Sequence, residues 1–437
     1  MSTVVESPGL GWRAHGVLSV LVFGYAGFFI GRQIMSVMIE PIKLEFGASD
    51  AAMGLISGLA FAGVYALMGL PAGRLADRRS RVRLLAATAL LWSIATLLCG
   101  FAMSFWMLVL ARMLVAVTEA PVTPASLSLI TDLYPANQRS LAISFFTGAP
   151  TVSAIIGLGL GAWVIDNFGW RTGFYLIATP VLLVSLVLSF LVKEPARGYW
   201  DTSPPAKPPH QSLRQAAHRL MRNRAYMQLI AVCALFSFSG FAFAMWNTSF
   251  LIRSHGLSLQ HAGIMAGVVT GTTAAVGGLF SGWLCDRLSS TNRQWLICIP
   301  IIGQSIALLC MLSYLLWPTG TVFHIGNMPV PKAMLWCALM GFFTVWWVAP
   351  IFNLLTQLVS PWERATAIAL QTICTTLAGV GLGPLLTGIL SDALSGPSGS
   401  ESLRHAMLII NLSLLIPIAL LAWLHRQKII VHPPAPG

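Results

Sequence analysis

The sequence predicts an all-α membrane protein whose twelve transmembrane helices form two pseudo-symmetric six-helix halves. Three observations support this prediction: the composition, the spacing of the apolar runs and a motif that recurs in both halves. Of the 437 residues, 56% are hydrophobic and only 9% are charged, whereas soluble domains carry about 25% charged residues. So few charges cannot cover the surface of a soluble protein of this size, and we expect much of the surface to face lipid.

Twelve apolar runs are long enough to cross a bilayer. Within a few residues they are 15–38, 51–72, 84–103, 105–131, 141–165, 172–192, 225–251, 259–284, 294–317, 333–358, 365–390 and 403–424. The first run is too long for the core of a signal peptide, and no small-residue cleavage site follows it. We therefore expect it to be retained as the first span.

A polar stretch separates the first six runs from the last six. Residues 193–224 contain five prolines and seven basic residues, which is typical of a linker. The sequence thus predicts an N-terminal half at 1–192, a cytoplasmic linker at 193–224, and a C-terminal half with a cytoplasmic tail at 225–437.

The distribution of basic residues predicts the orientation. Of the 26 lysines and arginines, 19 fall at one face of the predicted bundle and five at the other. Because basic loops stay in the cytoplasm, both termini and the linker are predicted to be cytoplasmic, with the protein in the cell (inner) membrane. The net charge of +12 then reflects topology. Nucleic-acid binding is not indicated, because the basic residues lie in short loops.

Two motifs recur in the two halves. The segment GRLADR at residues 73–78 follows the second span, and GWLCDR at residues 282–287 follows the eighth. A proline-containing loop that ends at Arg139 follows the fourth span, and a similar loop that ends at Arg364 follows the tenth. Such repeats are typical of secondary transporters, in which the substrate site lies between the halves near the bilayer midplane.

The segment GRLADRRSRVR at residues 73–83 resembles the signature between the second and third spans of the major facilitator superfamily. Within it, the chain resembles bacterial Spinster-type carriers and, next, the anion:cation symporters that import sugar acids and organic anions. The segments that carry this likeness are GRQ at 31–33, EPIKLEFG at 40–47, EAP at 119–121, FGWR at 168–171, KEPARG at 193–198 and GLGP at 381–384. A channel is the alternative, but the two-half repeat with a gate-like loop favours a carrier that works by alternating access, and we expect a monomer.

One position departs from the family pattern. Both groups commonly have an Asp-Arg pair in the first span, and here Gly31 stands where the aspartate would be. The departure removes one candidate proton carrier.

Three ionisable residues remain once both faces are assigned: Arg32, Arg112 and Glu119. An ionised side chain at mid-membrane costs at least about 2.5–3.5 kcal/mol, so such residues pair with one another or line an aqueous cavity. For Arg32 we favour an anchor for an anionic substrate group, since a guanidinium can hold a carboxylate or phosphate bidentately. For Arg112 we favour a structural tie over substrate binding. Glu119 is the candidate proton-coupling residue, the alternative being a permanently ionised partner for arginine.

Polar and aromatic side chains on helices expected to border the central cavity complete the candidate substrate site. They are Gln33, Tyr65, Trp246, Asn247, Asn353, Gln357 and Gln371. Each alone is more often a packing or hydrogen-bonding residue between helices, but as a set some are expected to touch substrate.

The resemblance also implies a gate, in which Asp77 and Arg81 pair with Asp132 and latch the outward-open state. The predicted gate residues are Gly73, Asp77, Arg78, Arg81, Asp132, Asp286 and Arg287. The alternative, that these residues only set the topology, accounts for Arg78 but poorly for Asp77.

The predicted function is therefore transport. The spans contain no nucleophile–base pair or paired carboxylates, and no nucleotide-binding loop is present, so we expect neither an enzyme nor a cofactor. We expect a proton-coupled secondary transporter of an anionic or amphipathic solute, either lysophospholipid-like or an organic carboxylate. The alternatives are a uniporter or exchanger, a drug or metabolite efflux carrier and, outside transport, a membrane receptor.

Overall fold

The computed structural model describes residues 12–196, 213–320, 322–325, 328–359 and 363–427. Within them, twelve helices are long and apolar enough to cross a membrane. The spans are Ala14–Gln33, Asp50–Gly69, Arg81–Gly100, Phe105–Leu133, Leu141–Phe168, Trp170–Phe190, Arg224–His255, Leu259–Ser289, Trp295–Leu316, Met334–Leu358, Thr366–Gly396 and Ser402–Arg426. Each overlaps the apolar run predicted for it, and the twelve-helix membrane fold is confirmed.

Between residues 12 and 196, the described stretch that contains the N-terminal half, the chain forms nine α-helices. They are α1 (Trp12–Gln33), α2 (Met35–Phe46), α3 (Asp50–Gly54), α4 (Ala60–Arg78), α5 (Arg81–Gly100), α6 (Phe105–Glu119), α7 (Val122–Leu133), α8 (Ala136–Phe168) and α9 (Trp170–Phe190). Serine side chains cap three of them: Ser49 accepts from the backbone N–H of Ala52, Ser80 from that of Arg83, and Ser104 from that of Met107. Pro121 lies between α6 and α7 and interrupts the fourth span, since proline donates no backbone hydrogen bond.

The linker contributes one described helix, and the C-terminal half that follows contains a short hairpin. The helices of the linker and this half are α10 (Leu213–Arg222), α11 (Arg224–His255), α12 (Leu259–Ser289), α13 (Trp295–Leu316), α14 (Met334–Thr344), α15 (Val348–Leu358), α16 (Arg364–Thr375), α17 (Gly383–Ser398), α18 (Ser402–Leu412) and α19 (Leu415–Gln427), with a 3₁₀ turn at Gly399–Glu401. Strands β1 (Val322–Ile325) and β2 (Met328–Pro331) pair antiparallel between the ninth and tenth spans. We name this end of the bundle the hairpin face, and the end where residues 193–224 leave it the linker face.

Two π-helical segments meet across the halves. Leu55–Leu59 lies in the second span and Thr376–Leu382 in the eleventh. A Cβ on Gly58 would lie 2.6 Å from the carbonyl oxygen of Gly381, so the two backbones are in direct contact. We name this contact the π seam. π-Helical insertions in α-helices are frequent at functional sites.

The fifth and eighth spans form a second contact between the halves. A Cβ on Gly267 would lie 2.6 Å from the Leu158 Cβ, and a Cβ on Gly271 would lie 2.6 Å from the Ile155 side chain. Small residues permit this close approach of helices in membranes. Together with the π seam, these contacts concentrate the association of the halves toward the hairpin face.

Large apolar side chains lie on the outside of the bundle. Leu110, Leu160 and Leu309 are exposed by 66%, 62% and 65%. Soluble proteins rarely expose so many large apolar side chains to water. This surface matches the lipid-facing belt expected of a multi-pass membrane protein. The boundaries of the halves at residues 192 and 225 stay a prediction, and linker residues 197–212 lie outside the described part of the chain.

Candidate functional site

An ion pair joins the first and fourth spans in the N-terminal half. Arg32, at the end of α1, places its Nε 2.7 Å from the Oε1 of Glu119. The arginine side chain is 22% exposed and the glutamate side chain 3% exposed. The Arg32 side chain is therefore partly accessible, whereas the Glu119 carboxylate is buried.

Aromatic rings surround the Arg32 guanidinium. Its central carbon lies 4.9 Å from the ring centroids of Phe29 and Phe61 and 4.7 Å from that of Tyr65. These are cation–π distances, and they restrict the orientation of the guanidinium plane. Tyr65 was predicted to contact substrate, and the structure places it against the predicted anchor. Phe29 and Phe61 were not predicted, because an aromatic residue in an apolar run looks the same in the sequence whether it packs in the core or contacts a functional arginine.

Arg112 lies deeper than Arg32. It is 3% exposed, and its Nη1 donates to the carbonyl oxygen of Gly31 over 3.3 Å. Its guanidinium carbon lies 5.3 Å from the Phe61 ring, and its Nε has no hydrogen-bond partner among the described residues. This arrangement resembles the structural tie that the sequence favours for Arg112. It also gives the cluster two guanidinium groups against one carboxylate, a net charge of one positive.

Trp92 occupies the space beside Gly31. A Cβ on Gly31 would lie 2.8 Å from the Trp92 ring, which is itself 1% exposed. The indole lies close to the Glu119 carboxylate, although its N–H makes no well-aligned hydrogen bond. The side chain that the family pattern leads one to expect at position 31 therefore has no room here. Trp92 lies in an apolar run and was not singled out by the sequence.

A cavity of about 200 Å³ lies between the halves. Its walls come from Gln33, Ala154, Leu158, Gly240, Phe243, Ala244, Asn247, Ala266, Thr270, Gly271, Ala274, Met311, Met340, Gly341 and Thr344. Two predicted substrate residues, Gln33 and Asn247, are among them. The Asn247 side-chain oxygen accepts from the Tyr314 hydroxyl over 2.7 Å. The lining is mostly apolar with a few fixed polar groups, as is usual for a small-molecule site, and the volume in this conformation is smaller than the roughly 300–1,000 Å³ of such sites.

The remaining predicted substrate residues lie away from this cavity. The buried Trp246 indole donates to the carbonyl oxygen of Pro384 over 3.0 Å, at the interface of the seventh and eleventh spans. Asn353 accepts from the exposed Gln357 over 2.6 Å. Gln371 is 3% exposed. Of the candidate set, Gln33, Tyr65 and Asn247 are the members that lie beside Arg32 or in the cavity.

The predicted gate is centred on a buried arginine. Arg81 is 1% exposed; it pairs with Asp132 and, over 3.0 Å, with Glu194. Glu194 also accepts from the Ser80 hydroxyl and from the backbone N–H groups of Arg81 and Val82, at the start of α5. Burial raises the pKa of Glu194, but these hydrogen bonds outweigh burial and the pKa is lowered. Glu194 belongs to the segment 193–198 that resembles the family, but it is not among the predicted gate residues.

Other predicted gate positions are less engaged. Arg78, Asp286 and Arg287 are exposed, and the Arg287 guanidinium lies 5.5 Å from the Trp283 ring. A Cβ on Gly73 would meet open space. The side chain of Asp77 lies outside the described residues, so its latch role stays a prediction. Arg81 and Asp132 belong to the same half and are paired in this structure, and their role in latching an outward-open state stays a prediction.

A second polar cluster closes the hairpin face and crosses the halves. Arg253 in α11 bonds both carboxylate oxygens of Asp50, over 2.7 and 2.8 Å, and contacts Glu40 over 2.8 Å. The Asp392 carboxylate accepts from the backbone N–H groups of Asp50 and Ala51 over 2.9 and 2.8 Å. We name this set the hairpin-face latch. In the sequence, Arg253 is one of the basic residues at this face and Glu40 belongs to the segment 40–47 that resembles the family. Asp50 and Asp392 were not predicted, because pairing between residues distant along the chain leaves no local pattern.

Twelve spans in two halves, with a charged cluster inside one half and a cavity between the halves, are the features of a membrane transporter. The chain belongs to the major facilitator superfamily, whose family model matches residues 21–330. It is 30% identical over 424 residues to an MFS-type efflux pump of Mycolicibacterium smegmatis, covering 97% of this chain and 94% of the pump. It is 25% identical over 401 residues to the sphingosine-1-phosphate transporter of Danio rerio, covering 87% of this chain and 76% of that protein.

A solved structure is similar over nearly the whole chain. It is a bacterial homologue of the human lysosomal transporter Spinster in an inward-facing and occupied conformation, with a TM-score of 0.84 and 28% identity. The match covers 97% of this chain and 100% of that one. The resemblance to Spinster-type carriers is thereby confirmed, and the protein is a transporter rather than an enzyme.

Proposed function

We propose that the protein carries an anionic or amphipathic organic solute by proton-coupled alternating access, with Arg32 as the anchor for the anionic group. The observation that carries this proposal is the cluster of Arg32, Arg112 and Glu119, because it retains one uncompensated positive charge inside the membrane. A buried charge without a partner is costly, and a bound carboxylate or phosphate would neutralise it. The partial exposure of Arg32 makes it the member that an incoming anion can reach.

The apolar chamber beside Gln33 supports an amphipathic cargo. Phe243, Leu158 and Met311 line one cavity with Asn247 and Thr270, a combination that suits a solute with both an apolar body and polar groups. The name of the similar Danio rerio transporter specifies a phosphate ester, sphingosine-1-phosphate, which fits the same requirement. An organic carboxylate would use the same guanidinium, so both substrate classes belong to the proposal.

Competition for Arg32 supplies the coupling in this proposal. The ionised Glu119 carboxylate occupies the Arg32 Nε at 2.7 Å, and a substrate anion needs that same guanidinium. Protonation of Glu119 removes its charge and frees Arg32 for substrate. Release of substrate then returns Arg32 to Glu119 when the proton leaves. Proton and substrate occupancy are thus linked through one side chain.

The conformation supports an orientation for the cycle. The hairpin-face latch and the π seam close one end of the bundle, and most basic residues lie at the other end. With the linker face in the cytoplasm, as the positive-inside rule favours, the closed end is the outer one. Transport then requires the latch to open and the linker-face ends of the halves to approach each other.

The test uses Glu119→Gln in proteoliposomes. A thermal-stability screen of the purified wild type against lysophospholipids and against aromatic and sugar acids first identifies a substrate. Wild type should then accumulate that substrate when a pH gradient is imposed. Glu119→Gln keeps the shape but cannot ionise, so pH-driven accumulation should vanish while substrate counterflow survives.

Persistent pH-driven accumulation in the Glu119→Gln protein would remove Glu119 as the proton carrier. Wild-type protein that shows counterflow but ignores a pH gradient is instead a uniporter or exchanger. Protein that binds substrate but moves none overturns the transport mechanism proposed here. Glu45→Gln is the matched control, since Glu45 pairs with Arg171 within the N-terminal half at the hairpin face and lies 40% exposed.

A further inference from the structure

Two grooves flank the linker-face end of α9. The first has a volume of about 750 Å³, lies between α5 and α9, and has apolar walls formed by residues such as Ala86, Leu90 and Leu188. The second has a volume of about 500 Å³ and lies between α1, α7 and α9, with Val20 and Leu133 in its wall. Val192 and Lys193 line both grooves. Lys193 is therefore a basic residue shared by two neighbouring grooves with largely apolar walls.

The mouth of the first groove carries two cations without a carboxylate partner. Arg83 and Lys193 both line it, both are exposed, and neither forms an ion pair in the described part of the chain. The adjacent acid cannot serve them, because both oxygens of Glu194 are engaged by Ser80 and by Arg81 and its neighbour. Two exposed cations at the mouth of an apolar groove are complementary in charge to the acidic headgroup of a lipid whose chains fill that groove.

We propose that this double groove binds one anionic phospholipid from the leaflet at the linker face. The phosphate lies between Arg83 and Lys193, and the two acyl chains straddle Val192, one in each groove. Basic pockets between transmembrane helices are suited to acidic lipid headgroups, while a free phosphate would make no use of the apolar walls. The site is separate from the substrate cluster of Arg32 and Glu119, which joins the first and fourth spans.

The position of the site also couples it to the gate region. The Ser80 hydroxyl lines the first groove and donates to Glu194, which holds Arg81. A phosphate at the mouth thus lies next to the residues that cap α5. A bound acidic lipid can therefore stabilise or disturb the contacts of Arg81 with Glu194 and Asp132.

The experiment titrates purified full-length protein in detergent with dioleoyl-phosphatidylglycerol, and reads binding by native mass spectrometry and by the thermal unfolding midpoint. Dioleoyl-phosphatidylcholine and inorganic phosphate are titrated in parallel. We expect phosphatidylglycerol alone to bind and to stabilise. Arg83→Gln combined with Lys193→Gln should weaken binding about thirtyfold, since each basic residue near an acidic surface contributes about a factor of five.

Two further variants make the test specific. Arg74→Gln combined with Arg293→Gln removes two exposed cations that line neither groove, and should leave phosphatidylglycerol binding unchanged. Ala87→Trp fills the first groove while keeping both cations, and should weaken binding as well. The proposal is overturned if phosphatidylcholine binds equally, if inorganic phosphate stabilises equally, if the control pair loses as much affinity, or if the Arg83 and Lys193 variant binds like wild type.

Discussion

At the scale of single residues, the membrane cluster depends on how closely its members are packed. Arg32 is held by three aromatic rings and one carboxylate. Gly31 is required because the Trp92 ring lies where a side chain would begin. The departure from the family pattern therefore involves two residues. Trp92 in the third span fills the volume that a carboxylate side chain at position 31 of the first span would need.

The anchor role of Arg32 predicts the outcome of a conservative change. Arg32→Lys keeps the charge but loses the planar fork and its stacking on Phe29, Phe61 and Tyr65. We expect the affinity for the substrate to fall about tenfold or more, because charge-assisted hydrogen bonds contribute about 1.5–3 kcal/mol. The measurement is isothermal calorimetry or ligand-induced thermal stabilisation of purified protein.

Arg112→Lys is the matched control for Arg32→Lys. Arg112 is bonded to the Gly31 carbonyl oxygen and is 3% exposed, so its replacement should lower the unfolding midpoint and leave the affinity of the folded fraction nearly unchanged. If Arg32→Lys binds normally while Arg112→Lys loses affinity, the anchor is Arg112 and the assignment is reversed.

At the scale of elements, the Glu194 carboxylate at the start of α5 stays ionised at physiological pH, because its pKa is lowered. The ionised carboxylate therefore stabilises the fold at any pH above the ordinary carboxyl pKa. This stabilisation is lost only as the pH falls below that value and through the lowered pKa of Glu194. A pH gradient near neutrality therefore does not act through Glu194. The element that must rearrange is the contact between the halves.

The π seam is the contact that a single methyl group can test. Gly58→Ala places a Cβ 2.6 Å from the Gly381 carbonyl oxygen, and such overpacking costs about 1–3 kcal/mol. This cost destabilises the state in which the hairpin face is closed. The ratio of closed to open molecules should therefore fall by about five- to 150-fold. Maleimide labelling of Ala154→Cys, a cavity residue, from the hairpin face should accelerate accordingly.

Gly63→Ala provides the control for the π seam, since a Cβ at Gly63 meets nothing within 4 Å. Both variants are compared in a background from which the seven native cysteines have been removed. Equal labelling rates in Gly58→Ala and Gly63→Ala would show that the seam is not the contact that opens.

At the scale of the whole molecule, the hairpin-face latch ties the two halves through Arg253. Arg253→Gln removes the arginine that bonds both carboxylate oxygens of Asp50 and contacts Glu40, but Asp50, which is 3% exposed, keeps its ion pair with Lys43 over 2.5 Å. Because Lys43 still compensates Asp50, the cost to the closed state should fall below the roughly 3–5 kcal/mol of a fully uncompensated buried charge. Arg253→Gln should still shift the protein toward a state open at the hairpin face and slow transport. Accessibility of the Ala154→Cys reporter and counterflow rates measure the two effects.

Two comparisons isolate the latch from general damage. Arg171→Gln breaks a pair with Glu45 that lies at the same face but within one half, with side chains 36% and 40% exposed; it should cost about 0–1 kcal/mol and leave accessibility unchanged. Arg253→Gln combined with Asp50→Asn removes both charges and should restore part of the closure. A latch role is excluded if the single and double variants label like Arg171→Gln.

The sequence by itself determined the twelve spans, because lipid imposes long apolar runs. The internal repeat and the resemblance of residues 73–83 to the major facilitator superfamily indicated the two halves and the class of transporter. The sequence likewise singled out Arg32, Arg112 and Glu119, and the structure places all three in one cluster. It could not reveal Trp92 behind Gly31, Glu194 beneath Arg81, or Arg253 across from Asp50. Those contacts join residues distant along the chain, and in a membrane bundle the partner of a side chain is set by how helices pack, which leaves no periodicity in the sequence. Only the tertiary structure decided which polar residues face the cavity and which end of the bundle is closed.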